Sequence, residues 1–536
     1  MNKPNGARVF AAAITASIIV CAAAACGGSP ATSAKSRPGA GRTAHGKGGT
    51  GLPAASPRQP STAVDVLGDA APDAVTADLA RTLLTSAPVV VVARPSAARS
   101  SAKGSAKPSP GDPPAATGQQ TAAAAARAAH APLLLASSVT AGLTATIEGL
   151  RPRAVLAIGL PAQDLAARLR GIQVTSLASR LPAAAAPATP GRVAILTDNS
   201  NNGNDGVVSA IAATAAAAGA TVVNVDGDDP RADPGAIGAL ARLHPLNVVA
   251  IGGEFGPSVR LENRLAVAET GRQLPGGGQV MFPGHRLVAL YGHPGTPSLG
   301  ALGQQDLAVS VARVRQLARA YRPLSGGVPV VPAFEIIATV AEGSPGPNGD
   351  YSYETPVSQI MPWVRQAADD GMYVVLDLQP GRASLLDQAK HYESLLREPN
   401  VGLALDAEWK LQPGQVPLQQ IGHVDVGEVN GVVSWLAALT ARYHLPQKLL
   451  VLHQFRSSMI VGESRLDTGN DDLAVVLHMD GQGSPGEKQS TWDSVVGGAP
   501  RGVFFGWKNF FVKDTPMLSS RATMERDPVP VMISYQ

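Results

Sequence analysis

Two kinds of hydrophobic pattern divide the chain. Up to about residue 280, short β-branched runs alternate with Ala-rich stretches: APVVVVA (87–93), APLLLAS (131–137), AVLAIG (154–159), RVAILT (192–197), TVVNVD (221–226) and NVVAIGG (247–253). Continuous apolar strands separated by helices predict parallel sheets covered on both faces, a Rossmann-like α/β arrangement. LRPRAVLAIG (150–159) and LHPLNVVAIG (243–252) share the Leu, the Pro, a Val and the closing Ala-Ile-Gly, which predicts two copies of one unit. The segment 96–120, rich in Ala, Ser, Pro and Gly, reads as a low-complexity surface loop.

From residue 286 onward the pattern changes to eight strand-like runs: RLVALYG (286–292), PVVPAFEI (329–336), YVVLDL (373–378), VGLALD (401–406), KLLVLHQ (448–454), LAVVLHM (473–479), GVFFGW (502–507) and VPVMISY (529–535). Between many of them lie helical stretches, such as Leu307, Val311, Val314, Ala318 and Tyr321 at spacings of three and four, or the apolar VVSWLAAL (432–439). About 250 residues with eight strands is what a (β/α)8 TIM barrel needs. The aromatics support a division into unlike halves, because all five Trp and all eight Tyr lie beyond position 290.

In such a barrel the strand C-termini form the active face. The polar residues at these ends are His293, Glu335, Asp377, Asp406 with Glu408, His453, His478 with Asp480, Lys508 and Tyr535. Asp406 and Glu408 share one face by alternation, and at the barrel mouth that face looks into the cleft. Burial and a like neighbour raise the pKa of one member of such a pair, so Glu408 is the candidate general acid and Asp406 its partner. Asp377 and Glu335 are further candidates for activating water or positioning substrate. The alternative is that these acids cap the following segment or pair with Lys410 or Arg456. Trp409 and Trp507 adjoin rim polar groups, where an indole face could stack on a sugar, and with His293, His453, His478, Asp480, Lys508 and Tyr535 they form the candidate substrate-binding set.

Composition excludes some functions. A net charge of +3 without any Lys/Arg cluster argues against nucleic acid. NSNNGNDG (199–206) matches neither the dinucleotide fingerprint nor the phosphate-loop motif, and no cofactor is expected. No two histidines have the i, i+2 or i, i+4 spacing of a tight metal site, so none is assigned, although His293, His453, His478, Asp377 and Asp480 leave a metal-dependent hydrolase as an alternative.

The N-terminus reads as an export signal: Lys3 and Arg8 precede an uncharged run that ends in small residues at Cys26. The small residues before Cys26 and the GGSP after it resemble the lipobox of bacterial lipoproteins, although Ala23 stands where a Leu is usual. The resemblance implies a diacylglyceryl group on Cys26, and two acyl chains anchor a protein stably to the outer face of the cytoplasmic membrane. An ordinary secretory signal cut after Ala-x-Ala is the alternative. The expected organisation is a signal peptide (1–25), a disordered tether (26–62), two α/β units (63–185 and 186–280) and the barrel (284–536). The Ala/Gly/Pro/Arg bias suggests a bacterium of high genomic GC.

AAAARAAHAPLLLASS, AVLAIGLPAQDLAARL and NVVAIGGEFGPSVRLENRL are similar to the cell-wall-binding repeats of Gram-positive bacteria, over roughly residues 65–270. That resemblance implies binding to an anionic wall polymer or peptidoglycan; a spacer role is the alternative. LALDAE and VLHMDG resemble the fourth- and sixth-strand motifs of chitinase-like barrel glycosidases, where Asp406, Glu408 and Asp480 carry over but Val401, Ala404 and Met479 depart from the pattern. LYGHPG, PAFEIIATVA, GDYSYE, YVVLDLQPGR, LALDAEW, LLVLHQF and GWKNF resemble a family of secreted actinobacterial barrel proteins of unknown function. The expectation is a barrel that binds and cleaves an envelope glycan; a non-catalytic carbohydrate-binding surface protein is the alternative.

Overall fold

The computed structural model describes residues 52–68, 71–95, 115–187, 191–199 and 205–536. The signal peptide, Cys26 and most of the tether lie outside the described residues, as do most of the 96–120 segment and the centre of NSNNGNDG. The end of the expected tether is ordered: Ser56–Pro57 pairs antiparallel with Leu84–Ser86, and Ala55 is buried. Likewise residues 115–120 are not loop but the start of a helix, Ala115–Ala128, whose alanines pack on the neighbouring strands.

The N-terminal half holds two four-stranded sheets with every pairing parallel. In the first the order is Leu133–Leu135, Val89–Ala93, Ala154–Ile158, Gln173–Thr175; in the second it is Val64–Leu67, Asn247–Ile251, Val193–Asp198, Thr221–Val225. The two units are interlocked, since Val64–Leu67, which precedes the first sheet in sequence, is the edge strand of the second. One apolar core joins them, with Val90, Val92 and Val155 of the first sheet alongside Ile195 and Val249 of the second. The internal repeat corresponds to one local device used twice. Each helix, Ala141–Leu150 and Pro234–Leu243, ends on a left-handed residue, Arg151 or His244, and a Pro then leads into the next strand. The strand stops in turn at a left-handed glycine, Gly159 or Gly252.

The C-terminal half is a closed barrel of eight parallel strands: β1 (Arg286–Gly292), β2 (Val330–Ala341), β3 (Tyr373–Leu378), β4 (Val401–Asp406), β5 (Lys448–Gln454), β6 (Leu473–Met479), β7 (Phe504–Asn509) and β8 (Met532–Tyr535). It closes where β8 pairs with β1, Leu287 opposite Met532. All eight expected strands are present, five with the expected bounds and β2, β7 and β8 with shifted ends. β2 runs on to Ala341 because Ser352–Glu354 returns antiparallel against it as the second arm of a hairpin. β7 starts two residues later than its apolar run and takes in Lys508 and Asn509, which pair with Ser534 and Tyr535.

The barrel interior is layered. Leu287, Ala289, Val331, Ala333, Val375, Ala404, Val451 and Val476 fill the lower part, and Leu274, Met281 and Phe282 plug it from below. The barrel core therefore begins ahead of residue 284, in the connection between the halves. Outward-facing residues pack under the surrounding helices in a second, larger core. The halves are tied by Arg264, which donates to both oxygens of Asp471 at 2.7 and 3.0 Å.

Candidate active site

Alternation along each strand decides what the mouth contains. In β1 the inward positions run Leu287, Ala289, Tyr291; in β2, Val331, Ala333, Glu335; in β3, Tyr373, Val375, Asp377. The same phase brings up Asp406 from β4, His453 from β5, His478 from β6, Lys508 from β7 and Ser534 from β8. Apolar lower layers thus give way to a single layer of ionisable side chains, almost all fully buried.

His453 is the hub of that layer. Its Nε2 lies 2.9 Å from Glu335 Oε1 and 3.9 Å from Asp377 Oδ1; Nδ1 lies 3.4 Å from Asp480 Oδ2, an ionic contact without hydrogen-bond alignment. Lys508 Nζ donates to Asp480 Oδ2 at 3.1 Å and sits 3.6 Å from the centre of the Tyr291 ring. Tyr291 in turn donates from Oη to Asp377 Oδ2 at 2.8 Å. Above this layer opens a cleft of about 570 Å³ lined by Asp406, Glu408, Trp409, Asp480, Lys508 and Phe510 among others.

The charge balance sets the protonation states. Burial opposes ionisation of Glu335, but the charge and hydrogen bond of His453 prevail and hold it below the ordinary range. His453 is the mirror case: burial disfavours its cation, and Glu335 and Asp480 overcome that and raise it well above its usual value. Asp480 is likewise held well below the carboxylate range, because Lys508 and His453 outweigh burial. Asp406 has no such help: burial first, then Glu408 and Asp377, push it well above the ordinary value. Glu408 is raised to about 7 by burial and by the Asp480 charge. Asp377 rises to about 6, mainly by burial. Burial lowers His478 to about 3, so it is neutral, and Ser534 Oγ lies 3.2 Å from its Nε2. The site therefore presents two carboxyls raised above their ordinary range, Glu408 and the more deeply buried Asp406, beside one ionised carboxylate, Asp480, at the same opening. That is the arrangement of a general acid and its ionised counterpart.

Lys410 and Arg456 do not neutralise the fourth-strand acids. Lys410 Nζ goes to Glu428 Oε1 and the Ala383 carbonyl, and the Arg456 guanidinium lies over Phe455. The strand ends at Asp406, and a short turn, Ala407–Trp409, carries Glu408 and Trp409 over to the cleft.

Three expected site residues lie elsewhere. Trp507 is the outward neighbour of Lys508: its indole is fully buried 5.6 Å from Trp492, with Nε1 donating to Asn509. Tyr535 also faces outward, 2.5 Å from the Tyr321 hydroxyl, and Ser534 takes the inward position. Adjacent strand residues point to opposite faces, so each pair could send only one member inward. His293 is past the end of β1 and is held by Thr296 and Thr355, at 2.9 and 3.1 Å, away from the cleft lining. Glu335, Asp377, His453 and His478 form the layer beneath the cleft. Sequence reasoning missed Tyr291 and Ser534; the period of two along β1 and β8 sets them on the opposite face from Gly292 and Tyr535, and the closed barrel decides which face is inward. It also missed Phe455, Phe510 and Gln379, for which no signal in the sequence exists. Among the described residues no group of three or more His, Cys, Asp or Glu side chains could hold a metal ion, so the metal-dependent alternative lacks a ligand set there.

Gly506 shows how tightly the layer is built. It is the inward residue of β7 below Lys508, and a Cβ there would come within 2.5 Å of His478 Cδ2. We expect Gly506→Ala to displace the imidazole and destabilise the protein by about 1–3 kcal/mol, read by thermal or denaturant melting. An unchanged melting curve would contradict this packing. No family model, curated protein or solved structure matches the chain.

Proposed function

We propose that the barrel hydrolyses a cell-envelope glycan, with Glu408 as general acid and Asp480 as the ionised carboxylate that activates water or stabilises the developing positive charge. The observation that carries this is the pairing at one cleft of a carboxyl raised to about 7 with one held well below the usual range. Trp409 lies in the same lining, where an indole face can stack on a sugar ring. Asp406, within the buried layer, feels the charges of both Glu408 and Asp377, and Glu335 and Asp377, fixed by His453 and Tyr291, position rather than react. The α/β half, read as two Rossmann-like units similar to cell-wall-binding repeats, would hold the protein on the wall, and a lipid on Cys26 would anchor it to the outer face of the membrane. What supports the reading of a repeated unit is the helix–Pro–strand–Gly device.

The test is release of reducing ends by the purified protein from isolated cell wall and from a panel of glycans. Glu408 donates its proton only below its pKa, so the rate should fall about tenfold per pH unit above roughly 7. Release of no sugar from any substrate, by folded protein, would leave a carbohydrate-binding role without catalysis.

A further inference from the structure

This inference rests on the glycan reading above and specifies the kind of glycan. Five carboxyl groups, Glu335, Asp377, Asp406, Glu408 and Asp480, meet at the mouth of the barrel, against two buried cations, His453 and Lys508. Both cations are already committed: Lys508 to Asp480 and the Tyr291 ring, His453 to Glu335 and Asp480. Four buried carboxylate oxygens are left without a hydrogen-bond partner: Glu335 Oε2, Asp377 Oδ1, Asp406 Oδ1 and Asp480 Oδ1. Two of these residues, Asp406 and Asp480, also line the cleft, and Asp406 is only 2% exposed. A buried, unpartnered carboxyl facing an opening lacks both hydrogen-bond donors and positive charge.

We propose that the cleft takes a cationic glycan, an amino sugar whose nitrogen is a free ammonium, and that Asp406 receives that ammonium with Asp480 beside it. An ammonium offers three donors and a full positive charge, which matches what these oxygens lack. A sugar hydroxyl brings one donor and no charge. An acetamido group brings one N–H and turns a carbonyl oxygen toward carboxylates, which is repulsive. A divalent ion finds no converging ligand set among the described residues. The further cations of the lining, Arg456 and Lys513, are exposed at its outer edge, where solvent and salt screen them. Asp406, crowded by Glu408 and Asp377, holds its proton in the free protein, so pairing with an ammonium releases that proton.

The test is calorimetric titration of the purified protein at pH 6 and low salt with trisaccharides of glucosamine, N-acetylglucosamine and galacturonic acid, in two buffers of different ionisation enthalpy. The glucosamine trimer should bind at least about tenfold tighter than the other two, with proton release, and Asp406→Asn should erase the preference. If that variant does not fold, the comparison on the wild-type protein decides alone. Equal or tighter binding of the acetylated or the acidic trimer overturns the ammonium site and leaves the glycan reading standing. Binding of no saccharide overturns both.

Discussion

Replacing Glu408 with Gln should lower glycan hydrolysis by about 10²- to 10⁴-fold while leaving affinity for the same glycan within about threefold. Gln keeps the size of the side chain and its ability to hydrogen-bond, but it has no proton to give a leaving oxygen. The pocket around it is fixed by other residues: Asp480 is held by Lys508, and Lys508 by the Tyr291 ring. The loss should therefore fall on kcat. Whatever activity remains should no longer decline above pH 7, because the group responsible for that limb, raised to about 7 by burial and by Asp480, is gone. A variant with wild-type kcat would sink the assignment of Glu408. A parallel loss of binding would point instead to a structural part for this carboxyl.

The second large effect concerns the buried hub. His453→Ala removes the cation that Glu335, Asp377 and Asp480 all face, and we expect it to cost about 3–5 kcal/mol near pH 6 or to prevent folding. Here the pH dependence carries the diagnosis. His453 is raised in the folded state, so its contribution is fully present below its unfolded value near 6.5 and is lost as pH climbs through the raised value. Glu335 is lowered, so its contribution is present above its unfolded value near 4.5 and is lost as pH falls through the lowered one. The pair therefore stabilises most between about 4.5 and 6.5, and the difference in denaturant midpoint between wild type and variant should shrink on the alkaline side. A difference independent of pH would mean that the imidazole acts by filling space. Asp406→Asn should do the reverse to stability: it removes a carboxyl crowded by Glu408 and Asp377 and should raise the melting temperature by about 2–4 °C.

Much of the fold is legible because periodicity is local. Eight apolar runs of strand length, spaced by helical stretches, are enough to propose the barrel, and each of them is a strand of it. The repeat at 150–159 and 243–252 marks a real local device, since a left-handed helix end, a proline and a strand-ending glycine are all short-range requirements. The acids at the end of β4 stand out for the same reason: charge ending an apolar run is visible in ten residues.

What the sequence by itself determined, then, is the set of strands and the polar residues at their ends. It left undecided which side of each end faces inward. Strands of a parallel barrel are apolar on both faces, so in β7 and β8 the alternation separates Trp507 from Lys508 and Ser534 from Tyr535 without saying which member of each pair looks inward. Closure of the barrel makes that choice, because hydrogen-bond register with the neighbouring strand fixes every side chain on it. The joining of Val64–Leu67 to a sheet built from residues 193–251 is likewise a matter of register between distant segments. So is the meeting of Glu335 with His453, 118 residues apart, and with it the unequal protonation of Glu408 and Asp480. Protonation depends on burial and on charges brought within a few ångströms, and only the closed tertiary structure supplies both.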